Sequence, residues 1–423
     1  MVRLLHTADW QIGLTRRFLE PEAQARFSAA RVEAIRAVGR VAAQQECDLV
    51  VVSGDVFESN HLTGQTVRRA LEALRAVPVP VYLLPGNHDP LDAASVYRSD
   101  VFVQECPPHV HVLGTAGVHA VAPGLELVAA PWESKHPGRD LVGEVLDGLP
   151  EGPAPDGVAR VLVGHGGVDD YDPQWRDAAT IRTSPLSAAL DEGRIHYVAL
   201  GDRHSRTAVA GRDDIAYPGA PEPTRESEVD PGHVLVVDVD PGRPQGDRVR
   251  VVAHHVATWR FLVLEREVDG DPDLDALDDE LRALDPKERT VLFLNLRGTL
   301  TVAQHARLEE LRERHRDHLG ALVEREQHRQ VVVVSDDELW RELGLGGYLA
   351  TAVDQMQEQA GAGSPAREGA PVAEPSATSA RSARAGDGGV SAAAAGFVVG
   401  RADDDESARD ALSLLYRLSR SRS

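Results

Sequence analysis

VYLLPGNHDP, residues 81–90, is an apolar run that ends abruptly in Gly86-Asn87-His88-Asp89. The run reads as a buried strand over Val81–Leu84, and the polar cluster at its end places an amide, an imidazole and a carboxylate at one strand terminus. Four other stretches repeat the arrangement. VVSGDVFESN at 51–60 follows the run Leu49–Ser53, and LLHTADWQIG at 4–13 contains the run Arg3–His6 and delivers Asp9-Trp10-Gln11. VLVGHGG at 161–167 and YVALGDRHSR at 197–206 end the runs Val161–Val163 and Tyr197–Leu200. In an open α/β sheet ligands gather beyond the carboxyl ends of the strands. Five strands therefore bring carboxylate, amide and imidazole groups to one place, which is what a pair of divalent cations needs.

Between these strands the pattern is helical. Residues 21–45 carry Ile35, Val38 and Ala42 on one face, and Thr63 is placed to cap a helix bearing Val67, Ala70, Leu71 and Leu74. Leu125–Ala130 and His233–Val239 read as further strands. The alternation predicts an α/β domain with sheet covered by helices on both faces. A Pro/Gly-rich turn at Asp240–Gly246 marks a change of composition, so a first domain is expected over 1–245. A small α/β module is expected over 250–345, with strands at Trp259–Val268, Val291–Arg297 and Val331–Val334 and helices at Leu274–Leu284 and Val302–Asp317. Residues 359–396 are rich in Ala, Gly, Ser and Pro and read as a disordered linker. An amphipathic helix is expected over 404–419, with Ala408, Ala411, Leu412, Leu415 and Leu418 in one stripe; it docks on its own chain or in a groove of another protein.

Bulk properties narrow the classes. The formal net charge is −22, which excludes a general nucleic-acid coat protein, because phosphate binding rests on neutralisation by Lys and Arg. Two cysteines, Cys47 and Cys106, give no disulfide framework and fit a reducing cytoplasm. The chain enters a strand at once, with no leader and no run that would span a membrane, so no membrane association is expected.

The six stretches LLHTADWQIG, VVSGDVFESN, VYLLPGNHDP, VLVGHGG, YVALGDRHSR and YPGAPEP at 217–223 together resemble the calcineurin-type metallophosphoesterases, and among them the SbcD-type nuclease subunits of bacterial SbcCD DNA-repair complexes. The resemblance covers roughly the first 240 residues. It implies a four-layered αββα sandwich, with the second module capping the active site and helping to grip DNA. It implies two divalent cations, manganese in preference to magnesium. Asp55, following Gly54, is the natural bridging carboxylate. Family position assigns Asp9, Gln11 and His204 to one cation with Asp55, and Asn87, His165 and Asp202 to the other. His88 is implied to approach the scissile phosphate, with Asp89 placed to orient it or hold it charged. Arg203, Arg206, Arg16 and Arg17 are candidates for phosphate contact, since guanidinium matches phosphate oxygens.

Two positions depart from the family pattern: Gln11 and Asp202 stand where it usually has histidine. Both make the site richer in oxygen, which suits manganese or magnesium over zinc. The expected activity is cleavage of DNA phosphodiesters in repair, as exonuclease or endonuclease, beside a coiled-coil ATPase of SMC type. A homodimer is left open. Two alternatives stand beside it: a phosphoesterase of nucleotides or small phosphoesters, favoured by the acidic charge, and a catalytically weak subunit that organises a partner ATPase, supported only by Gln11 and Asp202. The histidines of the second module, His305, His315, His318 and His328, lack metal-ligand spacing and are expected to be solvated.

Overall fold

The computed structural model describes residues 1–170, 178–324 and 330–334, together with residue 355. In chain order the elements of the larger unit begin with β1 (Val2–Thr7), α1 (Pro21–Gln44), β2 (Leu49–Val52), α2 (Gly64–Arg75), β3 (Val81–Leu83), α3 (Asp100–Glu105) and β4 (Val110–Val112). They continue with β5 (Gly117–Ala122), β6 (Leu125–Ala129), α4 (Leu141–Asp147), β7 (Ala159–His165), α5 (Thr183–Asp191) and β8 (Tyr197–Gly201). Three more strands, β9 (Thr207–Val209), β10 (Arg212–Tyr217) and β11 (His233–Val239), lead to β12 (Val249–His255).

These strands form two six-stranded sheets, in the orders β12-β11-β1-β2-β3-β4 and β5-β6-β7-β8-β10-β9. Strands β1 to β4 run parallel, as do β6, β7, β8 and β10. The faces of the two sheets that meet bury Leu4, Val51, Leu127, Val161 and Tyr197 in one apolar layer. The other face of the first sheet packs on α1 and α2 through Ile35, Val38, Leu71 and Leu74. That of the second sheet packs on α4 and α5 through Val142, Leu146, Leu186 and Leu190. The result is the expected αββα sandwich. Its inner strands read as continuous apolar runs because both of their faces are buried.

Local sequence accounts for the helices. In α1 the buried Phe27, Arg31, Ala34, Ile35, Val38 and Ala42 recur at three- and four-residue spacing, and Pro21 stands in the first turn, where its missing N–H costs nothing. The hydroxyl of Thr63 caps α2 by accepting the Thr66 N–H at 3.3 Å.

The expected domain boundary moves. Asp240–Gly246 is the loop of a hairpin, and β12 after it pairs antiparallel with β11 along its whole length. Residues 249–255 therefore belong to the first unit, which comprises Met1–Val263, Asp285–Phe293 and His318–Val323. A strand of alternating partly buried and exposed residues, as β12 is, carries too little apolar signal to be read as part of a core.

Among the described residues, the second unit comprises Leu264–Leu284, Leu294–Asp317, Glu324 and 330–334, with residue 355. Its elements draw on β13 (Arg260–Glu267), α6 (Asp271–Ala283), β14 (Thr290–Thr301), α7 (Val302–Arg316) and β16 (Gln330–Val334); the short β15 (Ala321–Val323) belongs to the first unit and was not anticipated. Helix α7 opens with a reciprocal cap between Thr301 and Gln304. His315 is not solvated as expected: it is buried, with Nε2 2.6 Å from the Asp278 carboxylate. His305 is also buried, whereas His318 is exposed. The expected linker at 359–396, the helix at 404–419 and His328 lie outside the described residues.

Candidate metal centre

Each motif leaves its strand at the carboxyl end, and the backbone there turns sharply. Asp9, Gln11, Asp55 and Asp202 all take positive φ, at 54°, 43°, 54° and 96°. Such conformations cost a non-glycine residue roughly 1–3 kcal/mol each and persist only where the surroundings hold them. Here the Asp9 N–H donates to the Gly54 carbonyl at 3.1 Å, and the Gln11 N–H to the Asp55 carbonyl at 2.9 Å. The Asp202 N–H donates to both carboxylate oxygens of Asp9, at 3.0 and 3.2 Å. Three motifs are thereby locked to one another.

Glycine makes room for the side chains. A Cβ on Gly54 would stand 2.1 Å from His165 Nδ1, and one on Gly86 would stand 2.2 Å from Asp55 Oδ1. Both positions are closed to any other residue without displacing a polar group of the centre.

His165 is the hub. Its Nδ1 donates to the Ser53 carbonyl at 2.8 Å, and its own carbonyl accepts the Trp132 indole N–H at 2.7 Å. That leaves Nε2 facing Asn87 Oδ1 at 3.0 Å, Asp55 Oδ1 at 3.3 Å and Asp202 Oδ1 at 3.8 Å. Ligand atoms of Asp9, Asp55 and His165 all lie within 4.8 Å of one another, and all three residues are buried. Acceptors converging in this way repel each other until a proton or a cation sits among them. The ionisation of the cluster shows the strain. Burial pushes the Asp9 carboxyl up to about 7. Burial acts to lower His165, but the Asp55 carboxylate outweighs it and holds the ring well above its ordinary value. Asp55 itself is raised by burial and lowered more strongly by His165, ending below the usual carboxylate range. Buried hard oxygens with imidazole nitrogen suit divalent cations of the manganese or magnesium kind, so the residues present fit such ions.

His204 stands across the centre. Its Nδ1 lies 2.6 Å from Thr224 Oγ1 and 3.0 Å from Glu228 Oε1, and its Nε2 lies 3.0 Å from Gln11 Nε2. Burial acts to lower His204, but the hydrogen bond it donates to Glu228 and the charges of Asp9 and Glu228 together raise it above its ordinary value. All seven residues expected around the cations, Asp9, Gln11, Asp55, Asn87, His165, Asp202 and His204, thus meet in one place.

The expectation for Asp89 fails. Its carboxylate is fully buried and accepts the Gly86 N–H at 2.7 Å, the Phe57 N–H at 3.0 Å and the Tyr97 hydroxyl at 2.7 Å. It ties the turn together rather than orienting His88. Burial raises it to about 6. The group that orients His88 is the Glu58 carbonyl, which accepts from Nδ1 at 2.9 Å and leaves Nε2 4.0 Å from Asp55 Oδ2. The arginines are also largely engaged. Arg206 is paired with Asp230 at 2.6 Å, and Arg203 Nε donates to Thr207 Oγ1 at 2.8 Å. Arg16 Nε donates to the Thr224 carbonyl at 2.8 Å, while Arg17 is exposed. Sequence reading missed Glu228, Thr224 and Glu58. Only their position after the YPGAPEP and GD stretches hinted at them.

The family model for the calcineurin-like phosphoesterases matches residues 2–206. The chain is 25% identical over 324 residues to the DNA double-strand break repair protein Mre11 of Methanosarcina mazei, covering 73% of this chain and 47% of that protein. It is 35% identical over 119 residues to the SbcD component of the nuclease SbcCD of Rhodobacter capsulatus, covering 27% of each. To the DNA double-strand break repair protein Mre11 of Aeropyrum pernix it is 27% identical over 273 residues, covering 59% of this chain and 61% of that one. The chain thus spans about half the length of the first of these relatives, and less of the second. Over residues 2–206 this chain carries a calcineurin-like phosphoesterase domain.

Proposed function

We propose that the chain is a nuclease of the SbcD/Mre11 kind, which hydrolyses DNA phosphodiesters with two divalent cations and works in repair beside a coiled-coil ATPase of SMC type in the cytoplasm. The observation that carries the reading is the convergence of Asp55 Oδ1, Asn87 Oδ1 and Asp202 Oδ1 on His165 Nε2 at hydrogen-bonding or ion-pair distance, with no donor among these atoms but the ring. Asp9, Gln11, His204 and Asp55 would hold one cation, and Asn87, His165, Asp202 and Asp55 the other. Bound cations supply a water activated at neutral pH and neutralise charge at phosphorus. Manganese is favoured, because His165 and His204 keep nitrogen in an otherwise oxygen-rich set.

The chain's own residues do the rest. The Glu58 carbonyl fixes the His88 ring, so that Nε2 is the atom turned toward substrate. There it can hydrogen-bond a phosphate oxygen or return a proton to the leaving oxygen. Trp132 and Ser53 hold His165, and Glu228 holds His204, so that these two rings do not reorganise on binding. The net charge of −22 leaves much of the DNA grip to the ATPase partner.

A phosphoesterase of small substrates is the second reading, and the pairing of Arg206 with Asp230 favours it by removing one phosphate contact. Incubating the pure chain with manganese and end-labelled duplex, single-stranded DNA or a chromogenic phosphodiester separates the two. Cleavage of labelled DNA that stops with chelator is expected. Turnover of the small ester alone contradicts the nuclease reading.

A further inference from the structure

We infer that the two cation positions are unequal: the position at Asn87, His165 and Asp202 fills first, and the position at Asp9, Gln11 and His204 fills separately and more weakly. The inference rests on the two-cation reading above and concerns how this chain's own residues are set before an ion arrives.

At the first position the ligand oxygens already point inward. His165 Nδ1 is committed to the Ser53 carbonyl at 2.8 Å. Its Nε2 then faces only oxygens, those of Asn87 at 3.0 Å, Asp55 at 3.3 Å and Asp202 at 3.8 Å. A cation entering there replaces the hydrogen bond between His165 and Asn87 but needs no side chain to turn over, and it gains an anionic ligand, Asp202, that a histidine at that place would not provide.

The second position is different, and Glu228 is the reason. The Glu228 side chain is only 3% exposed and accepts the Thr224 N–H at 2.9 Å and the Thr224 hydroxyl. With its hydrogen given to Glu228, the hydroxyl offers Nδ1 of His204 only a lone pair, and Glu228 Oε1 at 3.0 Å offers the same. Both neighbours of Nδ1 are acceptors, so the proton of the neutral ring sits on Nδ1. The lone pair a cation needs is then on Nε2, and Gln11 Nε2 lies 3.0 Å from it. It is the amide nitrogen of Gln11, not its oxygen, that faces this atom. Gln11 therefore covers the ligating atom of His204 and presents nitrogen where a ligand must present oxygen. Gln11 is 3% exposed, so its amide must break this bond and turn over within packed surroundings before an ion can be held. The histidine usual at this place needs no such rearrangement.

Manganese titration of the full chain, followed by calorimetry and by electron paramagnetic resonance, tests this. Wild type is expected to bind one ion tightly and a second at least about tenfold more weakly, with the spin-coupled signal of a manganese pair appearing only as the second binds. Gln11→His is expected to tighten the weak class by about tenfold or more and leave the tight class within about twofold. Glu228→Ala is expected to loosen the weak class by about 10–100-fold, as loss of a group behind a metal-binding histidine does. Melting curves of both variants identify any that fail to fold, and Gln11→His carries the test if Glu228→Ala does. Two ions of equal affinity in wild type, or a weak class unmoved by Gln11→His, would overturn the inference. Absence of any bound manganese would instead overturn the two-cation reading on which it stands.

Discussion

His88 Nδ1 donates to the carbonyl oxygen of Glu58 across 2.9 Å, and this bond fixes the ring by main chain rather than by a carboxylate. His88 thus reaches the centre without being part of the cluster around His165. Its Nε2 stays 4.0 Å from Asp55 Oδ2.

His88→Ala is therefore expected to keep both manganese ions and to lower the rate of DNA cleavage by about 100-fold or more, the range of a lost acid–base group. Metal content and single-turnover rate, measured on the same preparation, check it. Loss of an ion with the side chain would make His88 a ligand.

Asp89 acts on stability. Its two oxygens take three donors, from Gly86, Phe57 and Tyr97, in a site closed to water. Asp89→Asn turns one acceptor into a donor and leaves buried N–H or O–H groups unpaired, at a cost of about 1–3 kcal/mol. Tyr97→Phe removes a single bond and is expected to cost less, about 1 kcal/mol. Urea unfolding of the two variants should give that order; the reverse order would show that Asp89 does not hold the turn.

Stability should also fall in acid through two buried histidines that are not among the expected ligands. Burial lowers His6 from 6.5 to about 3 and His196 from 6.5 to about 4. In each case the folded value lies below the unfolded one, so the unfolded chain binds the proton first. Their contribution is complete above pH 6.5 and is lost as pH falls toward about 4, then 3. Each contributes a slope of at most about 1.4 kcal/mol per pH unit. His196 Nδ1 accepts the Arg160 N–H at 3.0 Å, and His196→Asn keeps an acceptor there while removing the titration. Its unfolding midpoint should depend less steeply on pH than wild type between 6.5 and 4. Parallel curves would contradict the assignment.

The motif residues were legible because each follows a strand buried on both faces. An apolar run broken by Gly-Asp or Gly-Asn-His-Asp announces both the strand and the side chains beyond it. The helices α1 and α2 were legible from their three- and four-residue spacing. What escaped lacked such a period. The edge strand β12 alternates without a strong apolar face, so its membership in the first sheet rests on pairing with β11. Glu228 lies in a loop and acquires its role only because Thr224 and His204 fold against it. Asp89 looked like a partner for its neighbour His88, but adjacent residues in a turn point apart, and its oxygens met Phe57 and Tyr97 instead. His315 owes its burial to Asp278, which lies 37 residues earlier on α6.

The central claim is that this cluster is a two-cation centre bridged by Asp55. Anomalous diffraction at the manganese edge, from crystals of the full chain grown with manganese, tests it most directly. Two peaks about 3.5–4 Å apart are expected, one beside Asn87, His165 and Asp202 and one beside Asp9 and His204, with Asp55 touching both. A centre without manganese, or manganese peaks held by other residues, would contradict it.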